Sequence, residues 1–139
     1  MAEHSSERLR FLDPPELAPP PGYSNIAEVR HGRIVYFAGQ VAIDDRGKLV
    51  GGNDVGAQAE QVFRNLGLAL AAIGCTPRHL AKLNVFMRDI RRIAEYRAAR
   101  DRFFATTDPP ARPAVTLVEV SRLFADEFLI EIEAVAVAD

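Results

Sequence analysis

Two carboxylates, Glu131 and Glu133, stand on one face of the most apolar stretch of the chain, Phe128 to Val137. Read at the strand period of two, Ile130, Ile132, Ala134 and Ala136 share one face, while Leu129, Glu131, Glu133, Val135 and Val137 share the other. Such a run predicts an interior strand. A carboxylate on it is costly to bury unless it is paired, hydrogen-bonded or turned toward a cavity. A partly desolvated carboxylate is also what a general base or a water-holding group requires. Glu131 is the candidate for that work, with an ion pair between subunits as the other reading. Glu133 reads as its partner or as an edge residue.

Other side chains could serve the same chemistry. An arginine's planar fork gives a ligand carboxylate two parallel charge-assisted hydrogen bonds. Arg112, in the stretch Asp108-Pro109-Pro110-Ala111-Arg112-Pro113, can do this if its loop folds inward; otherwise it is a solvated loop arginine. Arg97 shares a predicted helix with Arg91, Arg92, Arg100 and Arg102, and a charged outer face is the competing account. Tyr23 has a hydroxyl for a ligand or for a backbone carbonyl. Cys75 follows a helix end, where the dipole disfavours a thiolate, so no nucleophile is expected there. His4, His31 and His79 lack metal-ligand spacing and a paired Cys or Ser, so neither a metal, a cofactor nor a triad is expected. Gly51-Gly52-Asn53-Asp54 lacks the Lys-Ser/Thr of a phosphate loop and reads as a turn with a helix cap.

Bulk composition narrows the partners. The chain has 139 residues, 48% apolar and 26% charged, with a net charge of −2. That is ordinary globular composition, and it gives no electrostatic reason to expect nucleic acid or an anionic membrane. No apolar run approaches a membrane span, and the first ten residues lack a signal-peptide core. The lone cysteine fits a reducing compartment, so a cytoplasmic protein is expected.

These groups must be positioned by the elements around them. Residues 1–21 read as a flexible arm, polar to residue 11 and then proline-rich, and residues 22–139 as a single domain. The arm is expected to lie along its own domain, the alternative being a ligand for an aromatic groove elsewhere. Tyr23–Arg30 and Arg33–Ala38, either side of His31-Gly32, predict a hairpin. Asp44-Asp45-Arg46-Gly47 is a second turn. Asn53-Asp54 begins a helix with Val55, Ala59, Val62, Leu66, Ala69 and Ile73 in one stripe, widened by Phe63 and Leu70 and ended at Gly74. Leu80–Met87 is a strand, Asp89–Ala105 a helix, Ala114–Val120 a strand. The order β-β-α-β-α-β-β predicts an α+β sandwich with both helices on one face of a mixed sheet. The opposite face is apolar and is left for another copy of the chain.

Several short stretches, in order, carry a further signal: Gly22-Tyr23-Ser24, Phe37-Ala38-Gly39-Gln40, Gln58 with Asn65-Leu66, Val85-Phe86-Met87-Arg88-Asp89, Phe103-Phe104, Pro110-Ala111-Arg112 and Glu131-Ile132-Glu133-Ala134-Val135-Ala136. Together, from about Pro14 to Ala138, they resemble the Rid family (YjgF/YER057c/UK114), the reactive intermediate deaminases. The resemblance implies a chorismate-mutase-like fold and a homotrimer whose sheets form a central barrel, with ligand clefts between subunits. It also implies hydrolysis of short-lived 2-imino or enamino acids to 2-oxo acids and ammonia. In that chemistry an arginine grips the substrate carboxylate and a glutamate with a bound water handles the imine carbon.

Carried onto this chain, the resemblance implies Glu131 and Arg112 as catalytic groups, with Tyr23, Ala38, Gly39, Gln40, Arg97, Val115 and Leu117 binding a small carboxylate or imine. Ala38 stands where the family has a serine, Arg97 where it has an asparagine, and Val115 where it has its arginine. Arg112 lies three residues earlier. The chain thus resembles members lacking the usual arginine, for which non-catalytic ligand binding or regulation on the same fold is the alternative. A chorismate-mutase-like isomerase would share the architecture, but no set of cationic groups suited to a dicarboxylate is evident.

Overall fold

Strand β7, Ile130–Ala138, is hydrogen-bonded on both sides, and its neighbours define the main sheet. This computed structural model describes residues 2–5 and 8–139, with side chains from residue 8 onward. Along the chain lie β1 (Ala2–Ser5), β2 (Leu9–Asp13), β3 (Ile26–Val29), β4 (Arg33–Gln40), α1 (Val55–Ala72), β5 (Leu80–Met87), α2 (Ile93–Phe104), β6 (Ala114–Glu119) and β7. The main sheet runs β4-β7-β5-β6; β7 is antiparallel to both neighbours, and β5 and β6 are parallel, joined across α2. A parallel pair needs such a crossover.

The predicted alternation holds on β7. Ile130, Ile132, Ala134 and Ala136 are buried beneath the helices, as are Leu83, Val85 and Met87 of β5. Both helices cover this one face. Asp54 caps α1 by accepting from the Ala57 N–H at 3.0 Å, and Gly74, at φ +72°, follows its last turn. Val55, Ala59, Val62, Phe63, Leu66 and Leu70 are buried, whereas Ile73, at the end of the expected stripe, is exposed. Between the helices Phe63 stacks on Phe103, ring centroids 4.9 Å apart, and also packs on Tyr96. Gln58 is a buried polar residue that the apolar pattern did not reveal. It donates to the carbonyls of Gly52 and Glu127 and accepts from Leu129 N–H, fixing the entry to β7. Among the described residues no helix is long and apolar enough to cross a membrane.

The expected hairpin between β3 and β4 does not form. β3 pairs with β2, and β1-β2-β3 make a separate small sheet, while β4 pairs with β7. The His31-Gly32 corner carries the chain from one sheet to the other. Gly32, at φ +113°, packs so closely that a Cβ there would sit 2.5 Å from the Ala138 carbonyl. The stretch assigned to a polar arm therefore supplies β2, whose Leu9 and Phe11 pack with Ala81 and Val137 over one end of the helix-free face. Residues 1, 6 and 7 of that arm lie outside the described residues. The rest of the helix-free face carries exposed Ile34, Tyr36 and Val118. The second predicted helix begins as a 3-10 turn, Ile90–Arg92, capped by Asp89, before α2 proper.

Leu66 is fully buried in the middle of α1. Leu66→Ala should lower stability by about 2–5 kcal/mol, read as a shift in denaturation midpoint at unchanged slope.

Candidate functional site

Glu131 projects from β7 on the helix-free face, opposite Phe86 of β5. On the other side of β7, the β4 ladder slips: Phe37 pairs with Ala134 but Gln40 with Ile132. One extra residue at Ala38-Gly39 makes a bulge, a device that redirects local backbone. Gly39 is needed there, since a Cβ would meet the Glu131 carboxylate oxygen at 2.5 Å. The bare backbone thus forms a seat for the Glu131 carboxylate. Gln40 donates to the Ala38 carbonyl at 3.1 Å, closing the bulge.

The Glu131 carboxylate makes no hydrogen bond or ion pair among the described residues. Burial, and then the charge of Glu133, push its pKa above the usual glutamate value. Glu133 differs, because the Asn84 amide on the paired strand donates to it at 3.1 Å. Of two carboxylates on one face, one is satisfied and the other is partly desolvated and unpaired among the described residues, an arrangement found at functional acids and bases.

A second group assembles at the far edge of the sheet. Tyr23, Ile90, Ile93, Tyr96, Arg97, Arg100, Val115 and Leu117 line a cleft of about 270 Å³ where α2 overhangs β6. Ser24 bridges to Ala114 and so holds Tyr23 at this edge. Four of the residues expected to bind substrate, Tyr23, Arg97, Val115 and Leu117, are brought together here. Ala38, Gly39, Gln40 and Glu131 are gathered at the other end. Across the sheet the bulge on β4 is three strand steps, roughly 14 Å, from β6 and Glu131 on β7 two steps, roughly 10 Å, and the two groups open onto different faces.

Arg112 belongs to neither group. Its guanidinium is 3.3 Å from an Asp13 carboxylate oxygen and 3.3 Å from the Tyr23 carbonyl, so in this chain it ties the end of β2 to the backbone of Tyr23. The reason is local: Asp13 is close enough to satisfy it without an inward loop. Arg97 is exposed and has no acidic partner among the described residues.

Four cleft residues, Ile90, Ile93, Tyr96 and Arg100, lie outside the set expected from the sequence, and two of them are polar. Arg100 was grouped with a charged outer face, yet it is 4% exposed. It is paired with Asp101 and lies over the Tyr96 ring, 5.7 Å from its centroid. The signal was available: Ile93, Tyr96, Arg97 and Arg100 fall at helical spacings of three and four on one side of α2. Cys75 is buried, and burial pushes its thiol pKa up, which disfavours a nucleophile. Among the described residues no three His, Cys, Asp or Glu side chains cluster to hold a metal.

The fold and this division of residues define a class. Residues 15–138 match the family model described as endoribonuclease L-PSP. The chain is 33% identical to Protein DfrA of Myxococcus xanthus over 99% of its length and 95% of that protein's. It is 37% identical to the 2-iminobutanoate/2-iminopropanoate deaminase of Salmonella typhimurium, covering 76% of this chain and 80% of that one. The crystal structure of the Rid-family protein YyfB from Yersinia pestis, described as of unknown function, superposes with a TM-score of 0.84 at 34% identity, covering 94% of this chain and 98% of that one. The chain belongs to the Rid (YjgF/UK114) family.

The raised pKa of Glu131 has a consequence for stability. A carboxyl whose folded pKa lies above its unfolded value supports the fold fully only at low pH, and that support is lost as pH rises through the raised value. Glu131→Gln should therefore melt higher than wild type at pH 7, with the difference vanishing below pH 4, as followed by thermal denaturation across pH.

Proposed function

We propose that the chain works as a homotrimer in which the β6-edge cleft of one copy is completed by the Glu131 seat of the next, and that the joint site hydrolyses small 2-imino or enamino acids. The observation that carries this reading is the division of the site. The unpaired carboxylate and the cleft with its tyrosines and arginines are separated within one chain, and the exposed apolar residues Ile34, Tyr36 and Val118 lie on the face that a second copy would bury. A closed, symmetric assembly is the ordinary way to bury such a face on every copy.

In the joint site Glu131 takes a proton from water as the water oxygen bonds to the imine carbon, and it returns that proton to the nitrogen, giving a carbinolamine. The hydroxyl then passes its proton through Glu131 to the nitrogen as the C–N bond breaks, leaving the 2-oxo acid and ammonia. Its raised pKa makes it a stronger base than an ordinary glutamate. Tyr23 offers its hydroxyl, Ala38, Gly39 and Gln40 offer backbone groups at the bulge, and Val115 and Leu117 pack on the apolar part of the substrate. The exposed Arg97, lining the cleft with Tyr23, favours a carboxylate-bearing ligand. The relative named as an imine deaminase supports the reaction class. Ala38 and Val115, which supply neither hydroxyl nor guanidinium, favour the second reading, a member of the same fold that binds such a ligand without turning it over.

Light scattering at micromolar concentration should return a mass near three chains; a stable monomer would rule out the joint site. With an imino acid generated in situ, wild type should speed its disappearance over buffer, and Glu131→Gln should reduce turnover by about 10²–10⁴. No acceleration across several imino acids, together with retained binding of the matching 2-oxo acid, selects the non-catalytic reading.

A further inference from the structure

The β6-edge cleft has an unusual chemical bias. Its polar side chains are two tyrosines and two arginines, and no carboxylate lines it. Tyr96 is 1% exposed, the Arg100 guanidinium lies against its hydroxyl oxygen, and no acceptor for the hydroxyl proton is present among the described residues. Leaving a buried hydroxyl unsatisfied is costly, so this one calls for an acceptor. Burial pushes the phenol pKa up to about 12, which keeps the donor proton in place at neutral pH.

Arg100 is fixed beside that hydroxyl. Its Nε and Nη2 are engaged by one oxygen of Asp101, at 3.0 and 2.9 Å. Its plane lies over the Tyr96 ring, and Gly22, at φ +82°, packs its bare Cα against the same guanidinium, where a Cβ would come within 2.4 Å of Nη2. Held on three sides, the group loses little further freedom on meeting a ligand. Arg97 sits one turn earlier at the mouth of the cleft. On the opposite wall Val115 and Leu117 are apolar, so the cleft has a donor side on α2 and an apolar side on β6.

We propose that Tyr96, Arg100 and Arg97 form the carboxylate anchor of this protein, so that the acid end of the ligand is drawn to helix α2 and its apolar end lies on Val115 and Leu117 of β6. The proposal rests on the cleft being the ligand site, as in the function proposed above, and assigns the specificity for a charged acid to α2. Arg112 is then a positioning residue, holding the Tyr23 carbonyl. The ligand class is a small monocarboxylate with an apolar side chain, since the cleft has one donor end and one greasy wall.

The test uses the full-length protein, with phenylpyruvate and its neutral methyl ester as probes, both titrated calorimetrically. Wild type should prefer the acid. Tyr96→Phe keeps the ring and its packing, and should reduce acid affinity about tenfold while leaving the ester unchanged, the loss expected for one hydrogen bond to a charged group. Arg97→Gln, at an exposed position, should reduce the acid preference about fivefold. Arg100→Gln should reduce it about 100-fold, with Arg100→Lys restoring part; because Arg100 is buried, melting curves must accompany both variants, and Tyr96→Phe decides if they unfold. An acid-to-ester ratio unchanged in Tyr96→Phe and Arg97→Gln overturns the proposal, as does a wild type with no acid preference, or a preference lost only in Arg112→Ala. The two readings fail separately. Imine hydrolysis whose KM is insensitive to these variants would leave the proposed function and remove the anchor. Acid binding lost in Tyr96→Phe without any turnover in wild type would keep the anchor and remove the hydrolysis.

Discussion

The alternation of side chains along β7 is the constraint on which the rest depends. A strand hydrogen-bonded on both sides cannot rotate, and its period of two sends Ile130, Ile132, Ala134 and Ala136 into the helix-covered core. The same geometry commits Glu131 and Glu133 to the opposite face. A slip of one residue would place both carboxylates under α1 and α2, at a cost no nearby partner could offset. The core therefore fixes the position of the Glu131 carboxylate. Gln58, which binds the carbonyl of Glu127 and the N–H of Leu129, sets the register just before the strand begins.

The surroundings of the two glutamates show how small differences in backbone separate their roles. Asn84 stands directly across from Glu133 and donates to it, whereas the residue across from Glu131 is Phe86, which has nothing to give. On the β4 side the bulge brings bare backbone at Gly39 up to Glu131. Stability would be served by a partner for Glu131, and its absence is the kind of local inconsistency found where chemistry is done. At the β6 edge the same reasoning applies to the Tyr96 hydroxyl, a donor sealed against protein on most sides without an acceptor.

Much of this was legible in the sequence, for physical reasons that can be named. The two faces of β7, the stripe of α1 and the caps at Asp54 and Gly74 are local, periodic features, and periodicity survives into structure when one face is buried. The hairpin at His31-Gly32 failed because its signal was equally local, whereas the pairing was decided by residues far away: β4 takes β7 as partner, and β3 takes β2. Leu9 and Phe11, in an otherwise polar stretch, gave too short a pattern to announce a strand. In the site, Glu131 stood out as a charge in an apolar run. Arg100 did not, since among five arginines in and around α2 nothing in composition marks the one that Gly22 and Asp101 enclose.

The place of β7 in the chain also bears on how the protein is made. The strand at the centre of the main sheet follows every other element in sequence, so during synthesis it leaves the ribosome after them. Until then β4 lacks its sole neighbour in the sheet, and β5 is paired only with β6. A growing chain at that stage displays two unpaired strand edges and an uncovered underside of α1, surfaces that pair indiscriminately with other chains. The nine-residue β7 closes both edges at once. Folding should thus be abrupt and late, and the interval before it is where chaperone capture or misassembly competes with the native sheet.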